Sequence, residues 1–541
     1  MKPVIEVAEK IVNNLDKLPA KKPKLPLGMQ SFIKLIGGDF IYVDKTGFIK
    51  KLINSGLTYF FLSRPRRFGK SLLVSTMKEV FSGNRQLFKG LDIYEKIDWQ
   101  TYPVIFLDFT LIAENESISV DDALAGEVDK IAGKYSLPVT PGNHKNKFRM
   151  LIENLYEREK KRVVVLIDEY DKFIIDHITD EKQRKKNRRD LKDFFSVLKG
   201  LDEYLRFVFI TGVSRFTQIS IFSDLNNLID LTFDPDYAAA AGYTEAELLE
   251  HFYFFIHEFA KKNNYTFDHL LTLIRKWYNG YSWDSFTRIY NPFSILKLFS
   301  DYRFADHWFA TGTPTFLIET IRQRKTKIQD LDNIVVKRSR LENMEVSRLD
   351  LIPLLFQTGY LTITRKIKTG AAGEEFLLGY PNKDVRYSFL NHLLEDFSEE
   401  NRGVIDRISA ALKENRVADA LESMKGVFAG VPYDHFDHKK ESSYHALVHV
   451  IFYLILDNIG SEIHTNLGKI DSVIETDDYI YIFEFKMEDA RSALDQIYEK
   501  KYYEKYEPKG KEIVLIGSAF STENRNIGDW LIEPLNKGSS K

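Results

Sequence analysis

Cysteine is absent from the 541 residues. That excludes disulfides, thiolate zinc sites and a cysteine nucleophile, and it fits a reducing interior. An excess of one charge is missing too: 76 Lys and Arg stand against 78 Asp and Glu, a formal net charge of −2. No overall field draws the protein onto nucleic acid, so any basic surface must be local. No apolar run reaches the roughly 20 residues of a spanning helix; the strongest, ALVHVIFYLIL at Ala446–Leu456, falls well short. The opening MKPVIEVAEKIVNNLDKLPAKKPKLPLG lacks the apolar core and cleavage site of a secretory signal. Internal repeats and long low-complexity tracts are also missing. The expectation is a soluble cytoplasmic protein without membrane contact.

What is present is ordinary globular composition, 44% apolar and 28% charged, in a chain too long for one core. Single cores stop growing near ~250–300 residues, so two to four domains are expected. Residues 1–27 read as a short helix and a Lys/Pro linker, LPAKKPKLP. From 28 to 235, the runs TYFFLS, PVIFLDF, RVVVLID and RFVFITG alternate with helical stretches. Such runs suit strands buried on both faces of a parallel sheet, the α/β pattern. Residues 236–394 read as a middle region, mainly helical to about 340, after which SRLDLIPLLFQTGYLTITRK with GAAGEEFLLGYP supplies a helix and two strands, a winged-helix-like unit. From 395 to 541 the order becomes α-β-β-β-α-β, with strands at SEIHTN, IDSVIET and YIYIFEFKM and a last one at EIVLIGSAF.

The stretch SRPRRFGKS, Ser63–Ser71, ends like a phosphate-binding loop, but Arg64 stands where the pattern G-x-x-x-x-G-K-[ST] begins with glycine. Its context is right: strand, loop, helix. Backbone N–H groups and the helix N-terminus would face phosphate. Lys70 would reach the β- and γ-phosphates, and the Ser71 hydroxyl would ligate Mg²⁺. Gly69 lies where backbone must approach phosphate closely. Arg64, Arg66 and Arg67 either contact phosphate or nucleic acid, or pair with acids. A second element, VVVLIDEYDKF, places Asp168 and Glu169 after a hydrophobic strand. Asp168 would hold Mg²⁺, and Glu169 would polarise the attacking water. Thr211, Ser214 and Arg215 follow the next strand and read equally as γ-phosphate sensors or as a plain polar loop. The basic run Lys182–Lys192 reads as a solvated helix face.

A second constellation lies near the C-terminus. Residues i and i+2 of a strand share a face, so Glu484 and Lys486 project together while Phe483 and Phe485 face away. Asp471, on the preceding strand, can approach them. Two carboxylates make a hard-oxygen Mg²⁺ site with places for water and phosphate. Lys486 would orient or deprotonate water, Glu462 would add an acid, and Gln496 would position water or phosphate. The bland alternative is a cross-strand salt bridge on a solvated sheet face.

At these residues the chain resembles the AAA-ATPase-like P-loop family fused to a PD-(D/E)XK nuclease-superfamily domain. The matching stretches include LPLGMQSFIKLIGGDFIYVDKTGFIKKL, RPRRFGKS, LIDEYDK, TGVSRF, YNGYSWDS, LLFQTGYLTI, GYPNKDVR, GKIDSVIE, EFK and ALDQIYEKKYYEKY, from Leu25 to about Trp530. The resemblance implies that an arginine-rich loop in place of the first glycine is normal. It implies ATP with Mg²⁺ at Lys70, Ser71 and Asp168; Arg66, Arg67, Phe68 and Gly69 complete the nucleotide set expected from the loop itself, and Arg215 is the candidate finger. It also implies a nuclease triad of Asp471, Glu484 and Lys486, with Glu462 and Gln496 accessory, and Lys469 where Arg is often found. The expected partner is nucleic acid, DNA ahead of RNA, and a homo-oligomer is left open. The rival expectation is an ATP-driven switch or scaffold whose nuclease-like domain only binds nucleic acid or a protein.

Overall fold

The computed structural model describes residues 22–112, 119–138, 141–215, 221–222, 225, 227–308, 333–342, 350–370, 373–397, 403–430, 444–445, 447–448, 450–452, 454–455, 472–487 and 489–535. The chain divides into two compact units, Met1–Trp308 with Asn333–Asp384, and Phe309–Asp332 with Val385–Lys541. Among the described residues no helix is long and apolar enough to cross a membrane.

The first unit is organised by a parallel sheet of β1 (Tyr59–Ser63), β2 (Val104–Asp108), β3 (Val163–Asp168), β4 (Leu205–Gly212) and β5 (Ile229–Asp230), in the order β2-β3-β4-β1-β5. The four long apolar runs of the sequence become β1 to β4. Every residue of β1 and β3 is buried, as expected for strands covered on both faces. Helix α1 (Lys70–Phe81) follows β1, and Leu73, Val74, Met77 and Val80 pack it onto Phe60, Phe207 and Phe209 of the sheet. The basic run lies on α2 (Glu181–Gly200). Most of its cations face solvent, but Arg184 and Asn187 turn inward, and Asn187 donates to Phe173 O.

Among the described residues the rest of this unit is mainly helical, with two more small sheets, one of them the two-stranded pairing of Tyr243–Thr244 with Ile289–Tyr290. Helix α3 (Glu245–Lys262) starts at a capping box between Thr244 and Glu247, which satisfies free N–H groups of its first turn. It packs with α4 (Phe267–Tyr278) and α5 (Pro292–Asp301) around Phe252, Phe255 and Phe299. The expected helix and two strands are α6 (Leu351–Thr358), closed by Gly359 at φ 90°, and the hairpin β7 (Thr362–Gly370) and β8 (Gly373–Gly379). A strand absent from the sequence reading, β6 (Ile334–Lys337), completes a three-stranded sheet with β8 at its centre.

In the second unit, β9 (Ser472–Glu475) and β10 (Tyr479–Lys486) form a hairpin. Helix α7 (Ala490–Glu499) crosses over to β11 (Glu512–Ser521), which runs parallel to β10. A further strand, β12 (Asn526–Pro534), extends the sheet to β9-β10-β11-β12. The strand expected at SEIHTN lies outside the described residues.

Candidate functional site

The loop after β1 is shaped by an arginine. Arg64 has no solvent exposure. Its Nη1 donates to Ser63 O (2.8 Å) and Thr232 O (3.0 Å), its Nη2 donates to Tyr237 O (3.1 Å) and Ala238 O (3.4 Å), and its guanidinium stacks 4.1 Å from the Trp283 ring centroid. A planar fork with five donors suits a ring of carbonyls. Burial lowers its pKa to about 9, which still leaves it charged at neutral pH. So Arg64 belongs to the framework: its guanidinium donates to carbonyls, and Asp230 and Asp284 support its charge electrostatically. Phe68 locks the other side of the loop, edge-on to Tyr281 and Trp283. Arg67 adopts φ 67°, and its Nη1 donates to His307 O and Trp308 O, both at 3.1 Å. Trp308 N in turn donates to the buried Asp384. Gly69 caps α1 at φ 90° with open space around an added Cβ, so its requirement is torsional.

Beyond this loop the acidic element of β3 comes close. Lys70, only 3% exposed, donates to Pro65 O (3.2 Å) and pairs with Glu169 Oε1 at 3.1 Å. Asp168 is buried and bonded to the Ser71 hydroxyl. Desolvation first, and Glu169 second, raise its pKa to about 6, against the pull of Ser71. Glu169 sits at φ 51°, a costly conformation for a residue with a side chain. Asp171, which the motif reading passed over, fixes this turn. It accepts from Val213 N, Ser214 N (2.6 Å) and Ser214 Oγ (2.5 Å). The spacing D-E-x-D was the available signal. Next to these groups a cavity of about 470 Å³ is lined by Arg66 to Ser71 and Glu169, with apolar walls that include Met29, Ile41, Val43, Phe293 and Leu296. It lies at the carboxyl ends of parallel strands, where such sheets place ligands.

Three polar residues after β4 are used internally. Thr211 Oγ1 donates to Leu62 O, Ser214 serves Asp171, and Arg215 pairs with Asp230 and lies over Phe233. The cavity lining does not include Arg215.

In the second unit, Glu484 and Lys486 share one side of β10, while Phe483 and Phe485 stack on each other at 6.0 Å on the other. Glu484 is buried, and Gln496 Nε2 of α7 donates to its Oε1. That reach depends on Gly517, the partner of Glu484 on β11. An added Cβ there would lie 2.4 Å from Ala490 O and 2.5 Å from Leu494 N, so only glycine lets α7 settle on the strand. Lys486 is half-buried and has no ion pair among the described residues. Asp471 and Glu462 lie outside the described residues. Among the described residues no three acidic or imidazole groups cluster as metal ligands.

Comparison with known proteins agrees with this division. The family model described as predicted AAA-ATPase matches residues 26–222, and that of the PD-(D/E)XK nuclease superfamily matches residues 439–530. An uncharacterized protein in the vnfD 5′ region of Azotobacter chroococcum mcd 1 is 34% identical over 527 residues, covering 95% of this chain and 99% of that one. A chain of the solved structure titled "Structure of Drosophila ORC bound to AT-rich DNA and Cdc6" shares 9% identity, with 67% of this chain and 93% of that chain covered. Its TM-score of 0.22 is too low to support any argument.

Proposed function

This chain belongs to the predicted AAA-ATPase-like family with a C-terminal PD-(D/E)XK nuclease-superfamily domain, and from that premise we propose a Mg²⁺-dependent nuclease that cleaves DNA under ATP control, with defence against foreign DNA as its setting. The observation that carries the reading is the Lys70–Glu169 pair beside the Asp168–Ser71 contact at the rim of the cavity. The donors suit the ligands. A buried carboxylate and a hydroxyl are hard oxygens for Mg²⁺, and a lysine at a helix N-terminus suits phosphate. Bound Mg²⁺ supplies neutralisation of charge on the phosphate oxygens.

The chain's own groups do the rest. Gly69 and the first turn of α1 point backbone N–H groups at phosphate. Lys70 exchanges Glu169 for phosphate oxygens. That exchange frees the Glu169 carboxylate to orient a water and accept its proton. Ser71 and Asp168 hold the cation. Arg66 and Arg67 line the cavity and add positive charge. In the second unit, Glu484 is the described carboxylate of the cutting site, Asp471 and Glu462 are proposed to supply the others, and Lys486 orients the attacking water. Gln496 keeps the Glu484 carboxylate aimed.

The test incubates the wild type, Lys70→Ala and Lys486→Ala with plasmid, linear and single-stranded DNA and with RNA, in Mg²⁺, with and without ATP. Cleavage by the wild type only when ATP is present, lost in both variants, is the expected result. No cleavage of any substrate by the wild type would instead favour an ATP-driven switch whose nuclease-like domain only binds.

A further inference from the structure

The hairpin TITRKIKTG…GEEFLLG carries more exposed charge and apolar surface than a sheet edge needs. One side of its sheet is buried through Val336, Ile363, Phe376 and Leu378. Across the other side, residue register makes two rows, Val335–Leu377–Arg365 and Lys337–Glu375–Lys368. Val335 is 57% exposed and Ile367 42%. Arg365, Lys368 and Lys337 form no ion pair among the described residues, while Lys366 is taken by Glu374. Glu375 is the one acid in the two rows.

The loop 281–288 is pinned along the free edge of β7. Ser282 N donates to Thr362 Oγ1 (2.8 Å), and Arg288 donates to Ile363 O (2.6 Å) and Thr364 O (2.5 Å). Asp284 then accepts from Phe286 N and Thr287 N, both at 2.8 Å, and from Thr287 Oγ1 at 2.6 Å. This braced turn holds the Phe286 ring 79% exposed, without the stabilisation that burial of such a ring supplies. Between Phe286 and Thr364–Lys368 runs a groove of about 380 Å³.

We infer that this groove binds a single-stranded nucleic acid segment, with a base stacked on Phe286 and phosphates against Arg365 and Lys368. A cationic track beside an exposed aromatic is the chemistry of strand binding. An exposed ring stacks most readily on an unpaired base, because stacking in a duplex requires base steps to be opened first. The inference rests on the nuclease reading and adds where the substrate is held. It also places the substrate close to the nucleotide loop, since Trp283, three residues from Phe286, is the ring that stacks on Arg64.

The experiment measures binding of the full chain in EDTA, where cleavage is stopped. The probes are a fluorescein-labelled single-stranded DNA of mixed sequence and its duplex, over a range of salt. The wild type binds the single strand more tightly. Phe286→Ala weakens that binding roughly 5- to 100-fold while Phe286→Trp keeps it. The pair Arg365→Gln with Lys368→Gln lowers the salt slope by about 1.4, at about 0.7 per phosphate lost. Unchanged ATP affinity in each variant shows that the fold is intact. Wild-type affinity and slope in all variants would overturn this inference and leave the nuclease reading standing. A tight duplex preference indifferent to Phe286→Ala would overturn it too. Binding of poly-glutamate lost in the paired variant, with DNA binding kept, would assign the groove to an acidic protein instead. No nucleic acid binding by the wild type would overturn the reading beneath it as well.

Discussion

In the proposed nucleotide site each principal charged group is already held by its own chain: Lys70 by Glu169, Asp168 by Ser71, Asp171 by Ser214, and Arg64 by four carbonyls. In the C-terminal site Glu484 is held by Gln496, and Lys486 stands half-buried beside it with no ion pair among the described residues. The first site is drawn from two short contiguous stretches, so backbone torsions and caps set its geometry. The second is drawn across strands and a crossover helix, so it depends on register and on one close approach, α7 onto Gly517. Two sites built so differently should fail differently.

The largest effect tests their independence. Lys70→Ala should cost ATP hydrolysis about 10³-fold, roughly 4 kcal/mol of lost electrostatic stabilisation, read by phosphate release. Lys486→Ala should abolish cleavage and leave phosphate release unchanged. A fall in phosphate release in Lys486→Ala would break the comparison. Next, Arg64→Gly restores the usual loop pattern yet should destabilise the first unit by about 3 kcal/mol, because four carbonyls lose their donor. Denaturant unfolding followed by tryptophan fluorescence measures it, and wild-type stability would contradict the framework role. A smaller effect is expected from Gly517→Ala. Overpacking against α7 should cost about 1–3 kcal/mol, detach Gln496 from Glu484 and reduce cleavage, with ATP hydrolysis intact.

The smallest effect is in pH. The Asp168 carboxyl titrates near pH 6 without ligand, so it must lose a proton to hold a cation below that pH. Affinity for Mg²⁺-ATP should fall by up to about tenfold per pH unit below about 6 and be flat above it. Calorimetric titration of the wild type and of Asp168→Asn checks this, and the variant should lose the dependence. The stability sign is the reverse of the usual carboxylate case. The raised pKa means that the folded chain binds more protons than the unfolded one between about pH 4 and 6. Asp168 therefore favours folding less as pH rises through that window, and the loss is constant above it.

The parallel strands were legible in the sequence because each is an apolar run bounded by turns, and β1 to β4 fall where those runs lie. The phosphate-loop and D-E stretches were legible because their residues are neighbours in the chain. Arg64 was not, since its partners Thr232 and Tyr237 lie 168 and 173 residues away. Arg215, read equally as a phosphate sensor or as part of a polar loop, is paired with Asp230. An arginine after a strand gives no sign of which carboxylate the fold will bring to it. Strand Ile334–Lys337 and the two-residue β5 were too short to show as runs, and β12, with Gly528 and Asp529 inside it, alternates too weakly to read as a strand. At the second site, Glu484 and Lys486 followed from strand period alone. The role of Gly517 needed the helix that lands on it.

The buried guanidinium of Arg64 also decides when the nucleotide loop acquires its shape. A glycine at that position would leave the segment free to wander until a ligand arrived, and each capture would begin with a search through loop conformers. Here four carbonyl contacts do that work once, as the chain folds, so that the nucleotide of the proposed function would meet a receptor already in its final form.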